Sequence, residues 1–283
     1  MLLEVGDSRV LGDAAPRLRF VEDKSAVQGV DEARIEARRV GRRVLAVDDK
    51  PAFELSYWCG TCQFLFERLE GATATFSPDD ADGLASGISG IDHAVISRFG
   101  TLLPEGGYRP LLLEVTPRLV FPSAPGDYFA EDQVATWGPE SFWGLPVYPR
   151  TPYYRTFETR VDDGAHFYEF VVPMVPPSWN EPDRVAAYTA ALGSGVTPTA
   201  VAVSILDVCN PAEEHGVDVY AHWALTHFLL DGHHKTQAGA EAGRPIQLLS
   251  LLAVDPGLST PEQVARVPAL RAAEEQTRLR PRS

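Results

Sequence analysis

The sequence predicts an α+β protein in which a β-rich N-terminal lobe precedes a mixed α/β C-terminal domain. Three observations carry this reading. Residues 1–120 are divided by Gly, Asp and Pro into short apolar and β-branched runs, the pattern of strands and turns. Two runs of alternating aromatic and β-branched residues, 153–161 and 166–175, flank Asp162-Asp163-Gly164, a hairpin signal. Beyond residue 180 the apolar period switches between helical and extended spacing several times in succession. The expected organisation is a β-rich lobe over 1–120, a Pro/aromatic loop and hairpin over 121–172, a mixed domain over 173–258, and a helix and polar tail over 259–283.

In chain order, residues 2–21 and 43–58 read as short strands, with Asp48-Asp49-Lys50-Pro51 as the turn between VLAV and AFELSYW. The apolar positions of QFLFERL predict a short helix over 63–69 that Gly71 ends. Residues 77–90, rich in Asp and Gly, form a loop or a helix-poor connection, and 111–120 a strand. Between 121 and 152, Pro, Gly and aromatics crowd together (TWGPESFWGLPVYPRTP), which excludes long regular elements. That segment is a lid or pocket wall, or a cover packed on the core by Trp137, Phe142 and Trp143. After the hairpin comes a Pro-rich bend over 173–177. Asn180 is the expected N-cap of a helix that enters on Glu181-Pro182 and runs through Val185, Tyr188 and Leu192 to Gly193. A buried-type strand over 196–207, an insertion over 208–220, a strand over 223–230, a helix over 235–242 stopped by Gly243, and a strand over 246–254 follow. Ser259-Thr260-Pro261-Glu262 starts the last helix.

With 25 basic against 39 acidic side chains the net charge is −14, a field that repels nucleic acid unless a basic patch gathers locally. The clusters available are Arg34, Arg38, Arg39, Arg42 and Arg43, and Arg278, Arg280 and Arg282, which read as a solvated helix face and a frayed end. No window has the uninterrupted apolar length of a membrane span, and the expectation is a cytoplasmic protein without a membrane partner. A fraction of 45% hydrophobic residues places the chain with folded globular proteins.

The stretch with the most chemistry is Asp231-Gly232-His233-His234-Lys235-Thr236, where a strand turns into a helix. Gly232 allows the tight turn. The first amides of a helix have no partner within it and carry partial positive charge, so this end attracts anions. Lys235 adds a cation, and Asp231 is placed to hold a metal ion or take a proton. The bland alternative is a turn whose histidines are satisfied polar caps.

The order of elements over 173–255, a Pro-rich bend, an acidic helix start, a helix ending in Gly, a strand opening on Pro-Thr-Ala-Val, a second strand, DGHHK, an Ala-rich helix, Gly and a strand, resembles the ParB/sulfiredoxin-like superfamily. Within it the turn is most similar to that of the free-serine-kinase branch, whose members carry Asp-Gly-His-His-Arg. The resemblance implies that Gly232, His233, His234, Lys235, Thr236 and Arg184 bind a nucleotide, with Lys235 where arginine is usual. It implies catalytic roles for Glu181, Asp231 and His233, with Glu181 as base for a substrate hydroxyl; the same glutamate also fits an ordinary helix-dipole partner. The implied activity is ATP- or ADP-dependent phosphoryl transfer to a small hydroxyl-bearing metabolite, with Mg2+ bridging the phosphates. Hydrolysis of a nucleotide or phosphodiester at the same turn, and a zinc-containing anion- or nucleotide-binding module without turnover, are the alternatives. Sulfiredoxin chemistry needs a cysteine where His233 or His234 stands, and the partition branch needs a basic DNA-binding surface that the sequence lacks.

Three cysteines do not make a disulfide framework in a chain of 283 residues. Cys59-Gly60-Thr61-Cys62 has the look of a redox turn, yet no βαβ pattern surrounds it. Structural zinc would require two more ligands, and Cys209 and His215 are the candidates to complete a site with Cys59 and Cys62; His222 and His227 are alternative fourth ligands, and plain buried thiols the remaining reading.

Overall fold

The computed structural model describes residues 1–22, 42–57, 66–76, 82–137, 149–210, 220–255 and 259–276. The N-terminal strands are β1 (Leu2–Val5), β2 (Arg9–Leu11), β3 (Leu18–Glu22), β4 (Arg42–Val47), β5 (Lys50–Tyr57) and β6 (Phe66–Arg68). Helices α1 (Asp82–Ala85) and α2 (His93–Gly100) lead to β7 (Gly106–Val115) and β8 (Arg118–Val120), then to a π-helical turn, Phe129–Gln133, continued by α3 (Val134–Trp137). The rest comprises β9 (Tyr153–Asp162), β10 (Ala165–Pro173), α4 (Pro182–Gly193), β11 (Thr199–Cys209), β12 (Ala221–Asp231), α5 (His233–Ala242), β13 (Ile246–Ala253) and α6 (Pro261–Ala272). The fold is mixed α+β, as the patterning predicts.

Nine strands form one mixed sheet in the order β1-β7-β13-β11-β12-β10-β9-β8, with β2 also pairing β7, and β3-β4-β5-β6 form a second, antiparallel sheet. The predicted hairpin at 162–164 is the β9–β10 turn, and the Asp48-Asp49 turn joins β4 to β5 with both aspartates at positive φ, 49° and 62°. The divisions drawn at residues 120 and 172 cut across hydrogen-bonded ladders. Strand β7 pairs antiparallel with β13, and β10 runs parallel to β12, so β1, β2, β7 and β8 of the first 120 residues share a sheet with the C-terminal third, while β3 to β6 form the second sheet. Apolar runs such as LLLEV in β7 need cover on both faces, and joining the central sheet supplies it.

Strand alternation sorts the core into two layers. Val185, Leu192, Ala238, Val264, Val267 and Leu270 from α4, α5 and α6 pack on one face against Ala202, Leu225 and Leu248. Leu45, Phe53 and Phe66 from the small sheet, with Ile96 and Phe99 from α2, pack on the other against Val203, Phe228 and Leu251. Every residue of β11 is buried, in agreement with the buried-type strand expected there.

Four local expectations change. The described part of the helix expected over 63–69 is strand β6, because Phe66 sits edge-on to Phe129 and Tyr153 and its backbone pairs with β5. Tertiary pairing outweighs a weak helical period there. The strand expected over 111–120 is two strands separated by Thr116-Pro117, as a proline cannot donate to a ladder. The loop 121–152 contains the π-helical turn and α3, and the loop 77–90 contains α1.

A row of polar side chains crosses the helix-covered face. Ser250 Oγ donates to Ser204 Oγ (2.8 Å), Ser204 Oγ meets His227 Nδ1 (2.6 Å), and His227 Nε2 meets Glu169 Oε1 (2.9 Å). Arg271 of α6 closes the row with Nε 3.0 Å from Glu169 Oε2 and its guanidinium over the Phe157 ring. Burial opposes ionisation of Glu169, but Arg271 and then His227 outweigh it and hold the carboxyl below the usual range. The Ser-His-Glu order is that of a nucleophile relay, yet all of these groups are sealed from solvent, so the row serves to fix α6 on the sheet. Removing one partner strands the other charge. Arg271→Ala is expected to lose about 3–5 kcal/mol in urea unfolding, while the double change Glu169→Gln with Arg271→Met loses less than the sum of its parts.

Candidate functional site at the paired helix starts

The parallel strands β10 and β12 end side by side, with Pro173 opposite Leu229, and each delivers the chain to a helix on the same face. The starts of α4 and α5 therefore meet at one edge of the molecule. Strand β12 turns into α5 at Gly232, whose φ of 96° lies in the left-handed region. A Cβ there would stand 2.5 Å from the Ala200 Cβ, so the position requires glycine for space as well as for conformation. The left-handed Gly243 caps the other end of α5, as predicted.

The side chains of the turn divide into an inner and an outer set. Lys235 Nζ donates to Asp231 Oδ2 (2.7 Å) and to the Thr199 carbonyl (2.9 Å), all within the core. Burial pulls the lysine below its ordinary value, and the neighbouring carboxylate offsets part of that. Thr236 Oγ1 donates to the Gly232 carbonyl. His233 Nε2 accepts the Met174 amide at 3.1 Å, and burial lowers its pKa to about 4, so the ring is neutral at pH 7. These four side chains tie β12, β11 and the Pro-rich bend together. Lys235 and Asp231 are therefore not an open phosphate cradle and metal carboxylate: each occupies the other, a few per cent exposed.

The outer set lies at the surface. The Glu181 amide donates to His234 Nε2 (3.1 Å), and Asn180 Nδ2 reaches the His233 carbonyl (3.4 Å) and Gln237 Oε1 (2.7 Å), so the start of α4 is docked on the first turn of α5. Because Nε2 accepts, the proton of the neutral ring resides on Nδ1; burial, then Arg184, lowers the His234 pKa. Glu181, rather than Asn180, is the N-cap, and its carboxylate makes no capping bond to its own helix. Arg184 Nη1 lies 3.8 Å from Glu181 Oε1, with the two side chains 54% and 69% exposed. Of the predicted residues, Glu181, Arg184 and His234 thus meet at solvent, beside the amides of α5.

No family model matches this chain, and neither a curated protein nor a solved structure does.

Of the zinc ligands considered, Cys59, Cys62 and His215 lie outside the described residues. Cys209 is buried with Sγ 3.7 Å from Asp207 Oδ2. The alternative ligands His222 and His227 each have both ring nitrogens engaged, His222 by Tyr128 Oη (2.6 Å) and Thr136 Oγ1 (2.8 Å), His227 by Ser204 and Glu169. Among the described residues no group of three or more His, Cys, Asp or Glu is arranged to hold a metal ion. Arg34, Arg38, Arg39 and the C-terminal arginines also lie outside the described residues.

Composition alone did not single out the cluster around His222. Tyr128 and Thr136 flank the π-helical turn, and Arg155 beneath it bonds Asp132 Oδ2, Glu158 Oε2 and the Gly126 carbonyl, each at 3.0 Å. The signal present in sequence is the Arg155–Glu158 pair on a strand that opens on two tyrosines, with Glu131-Asp132 in the preceding segment. Its members are buried, and the contacts fix the 126–137 segment to the sheet.

Two outcomes follow for the turn. Gly232→Ala is expected to cost at least about 2 kcal/mol in unfolding free energy, from the positive φ and the overlap with Ala200. The native fold refuses a proton on His233 that the unfolded chain accepts below pH 6.5, so stability is complete above that pH and falls as pH approaches 4. The loss is about 3 kcal/mol. The advantage of the wild type over His233→Gln should shrink by that amount between pH 7 and pH 4 in urea titrations.

Proposed function

We propose that the chain is a cytoplasmic nucleotide-dependent phosphotransferase whose site is the outer surface where α4 and α5 begin. The observation that supports this reading is the Glu181 carboxylate: exposed, making no capping bond, beside the Arg184 guanidinium, and held by its backbone on His234 at the start of α5. Arg184 pairs with that carboxylate and His234 holds the Glu181 amide, so a guanidinium suited to phosphate oxygens and an imidazole both adjoin Glu181. In the proposed step an acceptor hydroxyl loses its proton to Glu181 as its oxygen bonds the transferred phosphorus, and the bond to the departing nucleotide breaks. Asp231 does not fit a metal role, being paired with Lys235. Magnesium arriving on the nucleotide would neutralise phosphate charge. The resemblance of the element order to the free-serine-kinase branch points the same way.

A second reading is favoured by the burial of Asp231 and Lys235: with those groups structural, the surface would bind a phosphorylated ligand without turnover. Thermal shift with ATP and ADP, with and without magnesium, followed by product analysis over a panel of hydroxyl metabolites, separates the two. A kinase gains stability with nucleotide and transfers phosphate, and Glu181→Gln abolishes transfer with the melting temperature unchanged. Phosphate released with water as sole acceptor indicates hydrolysis, and binding without product the second reading. Full transfer by Glu181→Gln would reject the assigned base.

A further inference from the structure

Trp179 is the one exposed tryptophan among the described residues, 58% accessible. It ends a 3-10 turn, Pro177–Trp179, with its amide bonded to the Pro176 carbonyl (2.9 Å) and the next amide to the Pro177 carbonyl (3.1 Å). Two prolines and two backbone bonds hold the ring's base in place before any ligand arrives, which lowers the ordering cost of a contact. The Arg68 guanidinium, from the small sheet, lies over the ring at 5.7 Å from its centroid; Nη2 of that arginine donates to the Ala72 carbonyl. One face of the indole is thereby backed by a cation, while more than half of the residue stays accessible to a planar partner.

Trp179 is two residues from Glu181, at most about 7 Å of chain. The backbones of Trp179 and Glu181 are thus neighbours on one bend, Pro173 to Glu181, clamped by Asn180 and His233 at the end of the sheet. We propose that Trp179, backed by Arg68, is the stacking platform for the base of a nucleotide whose phosphates rest against Arg184, His234 and the α5 amides. This rests on the phosphate-site reading above and adds the element that would distinguish a nucleotide from a bare phosphate compound. With a net charge of −14 the overall field repels an anionic nucleotide, so affinity must come from local contacts such as this one.

The test compares ATP with inorganic tripolyphosphate, each with magnesium, by calorimetry on the full chain. Trp179→Ala should weaken ATP between about 5- and 150-fold, the range of a lost aromatic–base stack, and leave tripolyphosphate within twofold. Trp179→Phe should restore most of the ATP affinity. ATP binding that ignores Trp179→Ala overturns the platform while the phosphate site stands, as does equal weakening of both ligands. Failure of the wild type to bind either ligand overturns both.

Discussion

A lysine and an aspartate four residues apart, both closed off from water, join the end of one central strand to the beginning of the next. Lys235 reaches from the first turn of α5 to Asp231 at the end of β12 and to the Thr199 carbonyl at the start of β11. Deep in a low-dielectric setting such a pair holds its geometry, because separating the partners would leave each charge uncompensated. It sets the angle at which α5 leaves the sheet, and with it the position of His234 against α4. The charge that would have made the turn an anion cradle is the charge that fixes the fold. What chemistry the turn retains is displaced one layer outward, to side chains that pack loosely and face solvent.

The helix layer is anchored twice, once by this pair and once by the polar row that Arg271 completes from α6. Between them the start of α4 is held by the Glu181 amide and the Asn180 side chain, both on α5, while the Glu181 and Arg184 side chains pair with each other at the surface. A surface fixed in this way, with charged side chains at solvent, is suited to ligands, since binding then orders few atoms that were not already ordered.

Local signals were readable wherever they were short-range. The Asp-Gly turn of the β9–β10 hairpin, the proline at the first position of α4 and the glycine after α5 each act within a few residues, and each element lies where its signal stands. The partnership of β7 with β13 was not readable, as pairing across 130 residues leaves no periodic mark, and it erased the expected division between lobes. At the site, the Glu181 amide meets His234 of the turn. Sequence could not tell which of two adjacent histidines faces the core: one residue of helix rotates a side chain by about 100°, enough to bury His233 and leave His234 at the rim. Lys235 was misjudged because a charged residue is ordinarily an exposed one. A lone aromatic such as Trp179, in a Pro-rich bend, gives no repeating pattern to read.

The interleaving of early and late strands bears on how the protein is made. Strand β7 lies between β1, only four residues long, and β13, whose residues are synthesised some 130 positions later. While the ribosome is still translating, the apolar LLLEV segment has no lasting partner on one side, and the sheet cannot close until nearly the whole polypeptide has emerged. Chaperone dependence during translation, and slow refolding after dilution from denaturant, are the natural companions of this arrangement.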